Sequence, residues 1–314
     1  NMLPRCSIKS NGVLISQNVG GIRQLAETQR FKAWFLDQFG VLHDGQKPYP
    51  GAISTLEKLA ATGAKLVIIS NSSRRASTTL EKMKSLGFDS SLFVGAITSG
   101  ELTHLYLQRR HDIWFKKLGR SCIHLAWTDR GAISLEGLGI QVVADIEEAE
   151  FVLVHGTETL SLPSGSAVSM RLEDLENVLE RCAAKKIPLV VANPDFVTVD
   201  ASSLRVMPGT LAAKYEKLGG EVKWMGKPDK IIYDSAMDMV DARASECIAV
   251  GDSLQHDIKG AEVASIQSVF ITGGIHATEL GVNGFGEAAD MSSVQDLASK
   301  YSAHPSYVLP SFTW

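Results

Sequence analysis

KLVIISNSSRRASTTLEKMKSLG (65–87) carries the organising rhythm of this chain in one stretch. An apolar run ends in a cluster of hydroxyl and amide residues, Ser70–Ser73, and a periodic helical segment follows at 74–87. Toward the N-terminus the same rhythm recurs, with AWFLD (33–37) leading into GAISTLEKLAATG (51–63). Far toward the C-terminus, CIAVGD (247–252) leads into DIKGAEVASI (257–266), and SVFIT (268–272) comes next. These runs are almost wholly apolar instead of alternating, as strands covered on both faces must be. Strand, turn and helix in repetition predict an α/β fold, a doubly wound parallel sheet of Rossmann-like type.

The middle of the chain repeats the pattern with separate material. CIHLAW (122–127), QVVA (141–144), FVLVHG (151–156) and PLVVANPD (188–195) read as strands. Helical patterns near 98–110, 130–138 and 171–185 lie between them. Periodicity alone leaves open whether this section extends the first sheet or builds a second α/β domain. The tail HPSYVLPSFTW carries two prolines and reads as irregular.

At 314 residues, with 45% hydrophobic and 21% charged side chains, the chain is long enough for one large domain or two, with a buried core. A net charge of -4 supplies no electrostatic reason to expect nucleic acid or an anionic membrane as partner. It leaves small anionic substrates open, since a local site can be positive on an acidic protein. Cys6, Cys122, Cys182 and Cys247 form no CxxC pair and suggest neither a zinc site nor a disulfide framework. A reducing, cytoplasmic setting is expected, an organelle only if a targeting segment was trimmed. No apolar run approaches a membrane span, the first residues lack a secretory signal, and Asn1 before Met2 is read as an added residue.

Four motifs stand where strands end. In FLDQFGVLHDG (35–45) a strand closes on Asp37, a carboxylate placed either to react or merely to cap a turn. In KLVIISNSSRR (65–75) Ser70 and its neighbours could cradle an anion or supply an N-cap. Lys227 in WMGKPDKIIYDSA (224–236) could neutralise a phosphate, or be a solvated surface lysine. In IAVGDSLQHDIKGA (248–261) Asp252 and Asp257 are hard oxygen donors suited to Mg²⁺, or a turn residue and a helix-end charge.

An acid, a hydroxyl, a lysine and an acid pair in this order resemble the haloacid-dehalogenase-like (HAD) superfamily, with Asp37, Ser70, Lys227 and the Asp252–Asp257 pair matching its four motifs in turn. Roughly 150 residues separate Ser70 from Lys227, room for an inserted domain. The class IIA branch places a large α/β cap there, and PGA (50–52), SNSS (70–73), ANPD (192–195), PG (208–209), GKP (226–228) and GDSLQHDI (251–258) are similar to its phrases. The resemblance spans about 30 to the 290s. It implies a discontinuous core of 1–97 and 205–314 with a cap at 98–204.

For chemistry, the resemblance implies a Mg²⁺-dependent phosphatase or phosphotransferase acting on a small phosphorylated metabolite. Asp37 would be the nucleophile, forming an aspartyl-phosphate that water hydrolyses. Asp37, the backbone carbonyl of Phe39, Asp252 and Asp257 would hold the metal, and Ser70 and Lys227 the phosphoryl group. Asn71, Ser72, Asn193 and Asp195 are further candidates for substrate contact, although N-P-D commonly makes a simple turn. Arg74, Arg75 and His256 read as surface residues, and Met237, Met239 and Val240 as helix packing. Caps of this kind pair in related proteins, so a homodimer through the cap is expected.

One departure matters. Phosphatases of the family carry a second aspartate two residues after the nucleophile, and here that position is Phe39. A phenyl ring cannot protonate a leaving alkoxide, a service typically worth roughly 10²–10⁴-fold. Four readings follow: a leaving group that needs no acid; His43 or Asp44 as substitute acid; a dehalogenase-like hydrolase, although such enzymes do not need the metal acids kept here; or a weakened protein that binds a phosphorylated ligand.

Overall fold

The run at 65–70 is a strand, and so are the apolar runs that end at the other motifs. The protein is described by a computed structural model covering residues 17–18, 20–129, 133–200 and 203–314. Its strands begin with β1 (Gln17–Asn18), β2 (Ala33–Leu36), β3 (Lys65–Ser70) and β4 (Phe93–Thr98). Next come β5 (Ser121–Ala126), β6 (Gln141–Val142), β7 (Phe151–Val154), β8 (Thr159–Ser161) and β9 (Ala167–Ser169). β10 (Leu189–Val191), β11 (Val197–Asp200), β12 (Ser203–Val206) and β13 (Val222–Trp224) follow, then β14 (Cys247–Gly251), β15 (Gln267–Ile271) and β16 (Tyr307–Leu309). The chain divides into two units, the first comprising Asn1–Ser70, Ala76–Ile97 and Lys227–Trp314, the second Asn71–Arg75 and Thr98–Gly226.

The first unit holds a seven-stranded sheet in the order β1-β16-β15-β14-β2-β3-β4. β2 runs parallel to both β3 and β14, with Leu36 opposite Ile68 on one side and Val250 on the other. That register brings Asp37, Ser70 and Asp252 out at one rim, the carboxyl ends of three adjacent strands, where open α/β sheets bind ligands. Both faces are covered. Trp34, Leu36, Leu66, Ile68, Ile248 and Val250 pack with Ile22, Leu25, Leu56 and Leu59 of the helices Ile22–Gln29 and Ala52–Ala61. On β15, Val269 and Ile271 join that layer, while Phe270 turns to the helix Met291–Tyr301 through Val294 and Ala298.

The tail departs from the irregular course expected of it. Tyr307–Leu309 forms β16, parallel to β15 and β1. Tyr307 and Leu309 enter one apolar layer and Val308 the other, so three residues bury on both faces between the flanking Pro305 and Pro310. The prolines bound the strand without interrupting it.

The second unit has its own mixed sheet, ordered β13-β10-β7-β5-β8-β9 with β6 on β5. β13, β10, β7, β5 and β6 are parallel to their neighbours, whereas β8 and β9 run antiparallel. Ile123, Val152 and Leu189 pack with Leu175 and Leu179 of the helix Leu172–Ala184 and with Leu211 and Tyr215 of the helix Pro208–Lys217. Because that last helix and β13 belong to this sheet, the unit runs on to Gly226, past the limit of 204 expected from the sequence, and it also takes in Asn71–Arg75. The helical pattern near 130–138 is not realised in 133–138, where turns occur and Gly137 adopts a positive φ of 79°; 130–132 lie outside the described residues. Cys122, Cys182 and Cys247 are buried and free, as small hydrophobes; Cys6 lies outside the described residues. Among the described residues no helix is long and apolar enough to cross a membrane.

Candidate active site

Three carboxylates meet where β2 and β14 end. The N–H of Asp37 donates to the carbonyl of Val250 at 3.0 Å, which carries the β2–β14 pairing one residue past the strand and fixes the backbone under the side chain. Asp252 follows β14, and its Oδ2 accepts the N–H of Ile275 at 2.9 Å. Asp257 stands in a single π-helical turn, Leu254–Ile258, that brings it back toward the rim. One carboxylate oxygen from each of Asp37, Asp252 and Asp257 lies within 4.8 Å of the others.

Lys227 ties the group together. It is 3% exposed, and its Nζ lies 2.6 Å from Asp257 Oδ1 and 3.3 Å from Asp37 Oδ1, while donating to the carbonyl of Ile69 at 3.0 Å. Burial alone would draw its pKa down, but the charges of Asp257 and Asp37 push it well above the usual lysine value, so the ammonium is permanent. Asp257 Oδ2 accepts the N–H groups of Asp252 and Ser253, both at 3.1 Å. Both oxygens of Asp257 thus serve the protein, one on the lysine and one on the turn that carries Asp252. Tyr233, fully buried, donates to the Asp257 carbonyl at 3.1 Å.

Glycines make this crowding feasible. A Cβ on Gly40 would sit 2.1 Å from Asp252 Oδ2, one on Gly251 2.2 Å from Asp257 Cβ, and one on Gly274 2.3 Å from Asp252 Cβ. Gly40 also has a φ of 85°, a left-handed backbone that other residues rarely adopt.

The donor set fits a divalent cation. Burial, then the charge of Asp257, lifts Asp252 to about 7, although the Ile275 N–H, Lys227 and a hydrogen bond with Asp37 pull the other way. Three carboxylates against one ammonium leave negative charge in a dry place, and clustered hard oxygens suit Mg²⁺.

The flap after Asp37 bears on the question of an acid. Phe39 is 55% exposed, its ring edge-on to His43 with centroids 6.2 Å apart. His43 is 4% exposed, and burial, then the charge of Lys82, pulls its pKa down to about 4. Its Nδ1 accepts the N–H of Gly45 at 2.9 Å. A neutral imidazole so engaged has no spare proton near neutral pH, which counts against His43 as the substitute acid. Asp44 is spent on a turn: the N–H groups of Lys47 and Gln46 hold its carboxyl below the usual range. Gln38 binds on both sides, with Nε2 donating to Ser70 Oγ at 3.1 Å and Oε1 3.3 Å from His43 Nε2.

The remaining candidates lie in the second unit and hold one another. Asn71 Nδ2 donates to Asp195 Oδ1 at 3.0 Å, and the Asp195 N–H donates to Asn193 Oδ1 at 3.0 Å. Gly209 donates its N–H to the Asp195 carbonyl at 2.8 Å, and a Cβ there would strike the Pro194 carbonyl. Ser72 Oγ accepts the N–H of Arg74 at 3.2 Å. These contacts account for the similar phrases SNSS, ANPD and PG as a structural tie, so the substrate contacts expected of these four residues gain no support. Arg75 pairs with Glu101 at 2.6 Å, and His256 is half-buried with Nδ1 3.2 Å from Ser253 Oγ, less exposed than its sequence suggests.

Sequence reasoning passed over Gln38, Tyr233, Gly274, Ile275 and His276. His276 Nε2 accepts the Leu254 N–H at 3.1 Å and so buttresses the turn after Asp252. The double glycine at 273–274, directly after an apolar strand, was a readable signal of close approach. Gln38 carries none, since nothing about an amide beside Asp37 marks it.

Comparison with known proteins bears on the family and the fold. Models of haloacid dehalogenase-like hydrolases match residues 34–141 and 133–265, and a HAD-hydrolase-like model matches 224–314. Bovine (Bos taurus) chronophin is 25% identical over 263 residues, covering 80% of this chain and 84% of that protein. The sugar-phosphatase AraL of Bacillus subtilis (strain 168) is 23% identical, covering 76% and 82%. Among solved structures, a haloacid dehalogenase-like hydrolase from Brucella suis 1330 superposes with a TM-score of 0.69 at 26% identity, over 93% of this chain and 99% of that one. The p-nitrophenyl phosphatase of Archaeoglobus fulgidus gives 0.64 at 21%, over 90% and 97%. The chain belongs to the HAD-like hydrolases. Its first unit is the Rossmann-like core of that family, and its second unit the α/β cap region.

Proposed function

We propose that this hydrolase is a Mg²⁺-dependent phosphatase for a small phosphorylated metabolite whose leaving group departs without an acid, such as an aryl or acyl phosphate. The observation that carries the reading is the convergence of Asp37, Asp252 and Asp257 on one buried lysine, Lys227. Names of relatives support phosphatase activity, not the choice of leaving group: chronophin apart, they include sugar, D-glycerol 3-phosphate and 4-nitrophenyl phosphatases.

In this reading the Asp37 carboxylate attacks phosphorus in line, the P–O bond to the leaving group breaks, and the aspartyl-phosphate is hydrolysed by water. Asp37 Oδ1 is held by Lys227 and by the N–H of Gln38 at 2.9 Å, so the carboxylate is oriented before substrate arrives. Lys227 and Ser70 bind the transferring oxygens. Asp37, Asp252 and the Phe39 carbonyl would hold the metal, with Asp257 mainly positioning Lys227 and the Asp252 turn. The cation supplies the positive charge that lets a carboxylate and a phosphate approach.

Phe39 favours a second reading, a phosphate-binding protein with little turnover. Purified protein with Mg²⁺ and p-nitrophenyl phosphate separates the two. The expected result is phosphate release that stops with EDTA and falls at least about 10³-fold in Asp37→Asn, which removes the nucleophilic charge and keeps the shape. Turnover that survives in Asp37→Asn would reject the covalent route, and binding of phosphate without turnover would favour the second reading. Halide release from a 2-halo acid, indifferent to chelator, would instead indicate the dehalogenase. Pairing of two copies through the second unit remains part of the proposal, and sedimentation would decide it.

A further inference from the structure

We infer that Gln38 is a positioning residue that forces the Ser70 hydroxyl to donate its proton toward the bound phosphoryl group, with its own orientation dictated by the flap through His43. The inference builds on the phosphatase reading, and it follows from hydrogen-bond direction along three contacts.

A backbone N–H can only donate, so the 2.9 Å contact from Gly45 makes His43 Nδ1 an acceptor. An accepting Nδ1 carries no proton, so the ring proton of His43 sits on Nε2. Nε2–H faces the Gln38 side chain at 3.3 Å and requires an acceptor there, which is Oε1. An amide whose oxygen is committed on one side presents its NH₂ on the other. That NH₂ donates to Ser70 Oγ at 3.1 Å. Ser70 Oγ, accepting from Gln38, cannot give its proton back along that contact. Its O–H is directed elsewhere, and a phosphoryl oxygen, which only accepts, is the partner the site chemistry calls for.

The anchor of the chain is rigid. The flap is closed by the Asp44 N–H to the Lys47 carbonyl at 3.0 Å and the Tyr49 N–H to the Leu42 carbonyl at 3.0 Å. Gly45 has a φ of 97°, and the Phe39 ring would stand 3.1 Å from any Cβ added there. Donor direction at Ser70 is therefore set by the backbone of a turn seven residues beyond Gln38. A simple packing role for Gln38 would need none of this polarity.

The test is a double-mutant cycle between Gln38→Met, which keeps the length and removes both polar ends, and Ser70→Ala. It is read in kcat/KM for p-nitrophenyl phosphate and in the affinity for inorganic phosphate with Mg²⁺ present. Gln38→Met is expected to lower both about tenfold in the wild-type background, in line with a hydrogen bond to a charged group. In the Ser70→Ala background it should change them less than about twofold, because the hydroxyl it steers is gone. His43→Phe should behave like Gln38→Met and add little to it. Equal losses from Gln38→Met in both backgrounds would overturn the inference, since a packing defect persists without Ser70. If the wild type binds phosphate but does not turn over, the cycle in phosphate affinity still decides the matter, and the phosphatase reading alone fails. Absence of phosphate binding in the wild type would overturn both.

Discussion

Phe39 stands largely in solvent and touches the flap edge-on, so a carboxylate in its place would disturb little packing. Phe39→Asp therefore isolates the chemistry of the missing acid. An acid without tuned surroundings falls short of the roughly 10²–10⁴-fold of an evolved one. We expect about a tenfold gain on an alkyl phosphate and no gain on p-nitrophenyl phosphate. Equal change on both substrates would mean the substitution acts through the metal site or the flap, not through proton transfer. At this scale much was legible beforehand. Asp37, Ser70 and Asp252 stand at strand ends, and the type and order of Asp37, Lys227, Asp252 and Asp257 anticipated that these four side chains meet. The roles of His43 and Asp44 were not legible, because burial and turn hydrogen bonds, invisible in a string of letters, decide their protonation.

The segment after β15 shows how an element without regular structure completes a site. Gly274 lets the backbone lie against Asp252, Gly273 lets it pass the Pro310 carbonyl, and the Ile275 N–H then binds the Asp252 carboxylate. In Gly274→Ala the new methyl would collide with Asp252 Cβ at 2.3 Å, backbone against the base of a side chain. Overpacking of this kind costs about 1–3 kcal/mol. We expect a lower melting temperature in thermal denaturation and at least a tenfold loss of phosphatase activity. Unaltered kinetics would show that the Asp252 carboxylate does not need this support. The strands read at 33–37, 65–70, 247–252 and 268–272 fall within a residue of those observed, but PLVVANPD (188–195) is a strand only over Leu189–Val191, and β4, β8, β9, β11 and β12 were not read. The failures share a cause. β16 is short and bracketed by prolines, and the 133–138 segment carries apolar spacing but turns on Gly137, so local pattern and final structure disagree where neighbours or a positive φ decide.

Across the whole chain, proton uptake is distributed unevenly. In the second unit His124 Nε2 lies 2.9 Å from His155 Nδ1, and Ser161 Oγ lies 2.9 Å from His124 Nδ1. Burial pulls His124 down to about 4 and, with the charge of His124, His155 well below its ordinary value; burial also lowers His104. An unfolded histidine titrates near 6.5. Between about 6.5 and 4 the unfolded chain thus takes up protons that the folded unit refuses. Stability from these groups is full above 6.5 and declines as pH falls, by about 3 kcal/mol for His124 alone. In the first unit His43, also lowered to about 4 by burial, loses stability over the same range, but Asp252, raised to about 7, has the opposite sign and offsets it on acidification from 7 when no metal competes. Amide hydrogen exchange should therefore lose protection in β5 and β7 below pH 6.5 before β2 and β3 do. Simultaneous loss in all four strands would contradict this.

The sheet order of the first unit has a consequence for how the protein is made. β2, which leads into Asp37, lies between β3 and β14, and β14 begins only at Cys247. A ribosome emits everything through Gly226, hence the entire second unit, while the slot beside β2 is still vacant. Until the last portion of the chain emerges, one apolar strand edge must wait unpaired, a state open to non-native pairing. The cap region can mature early during synthesis, but the rim that gathers the three carboxylates is assembled last and all at once.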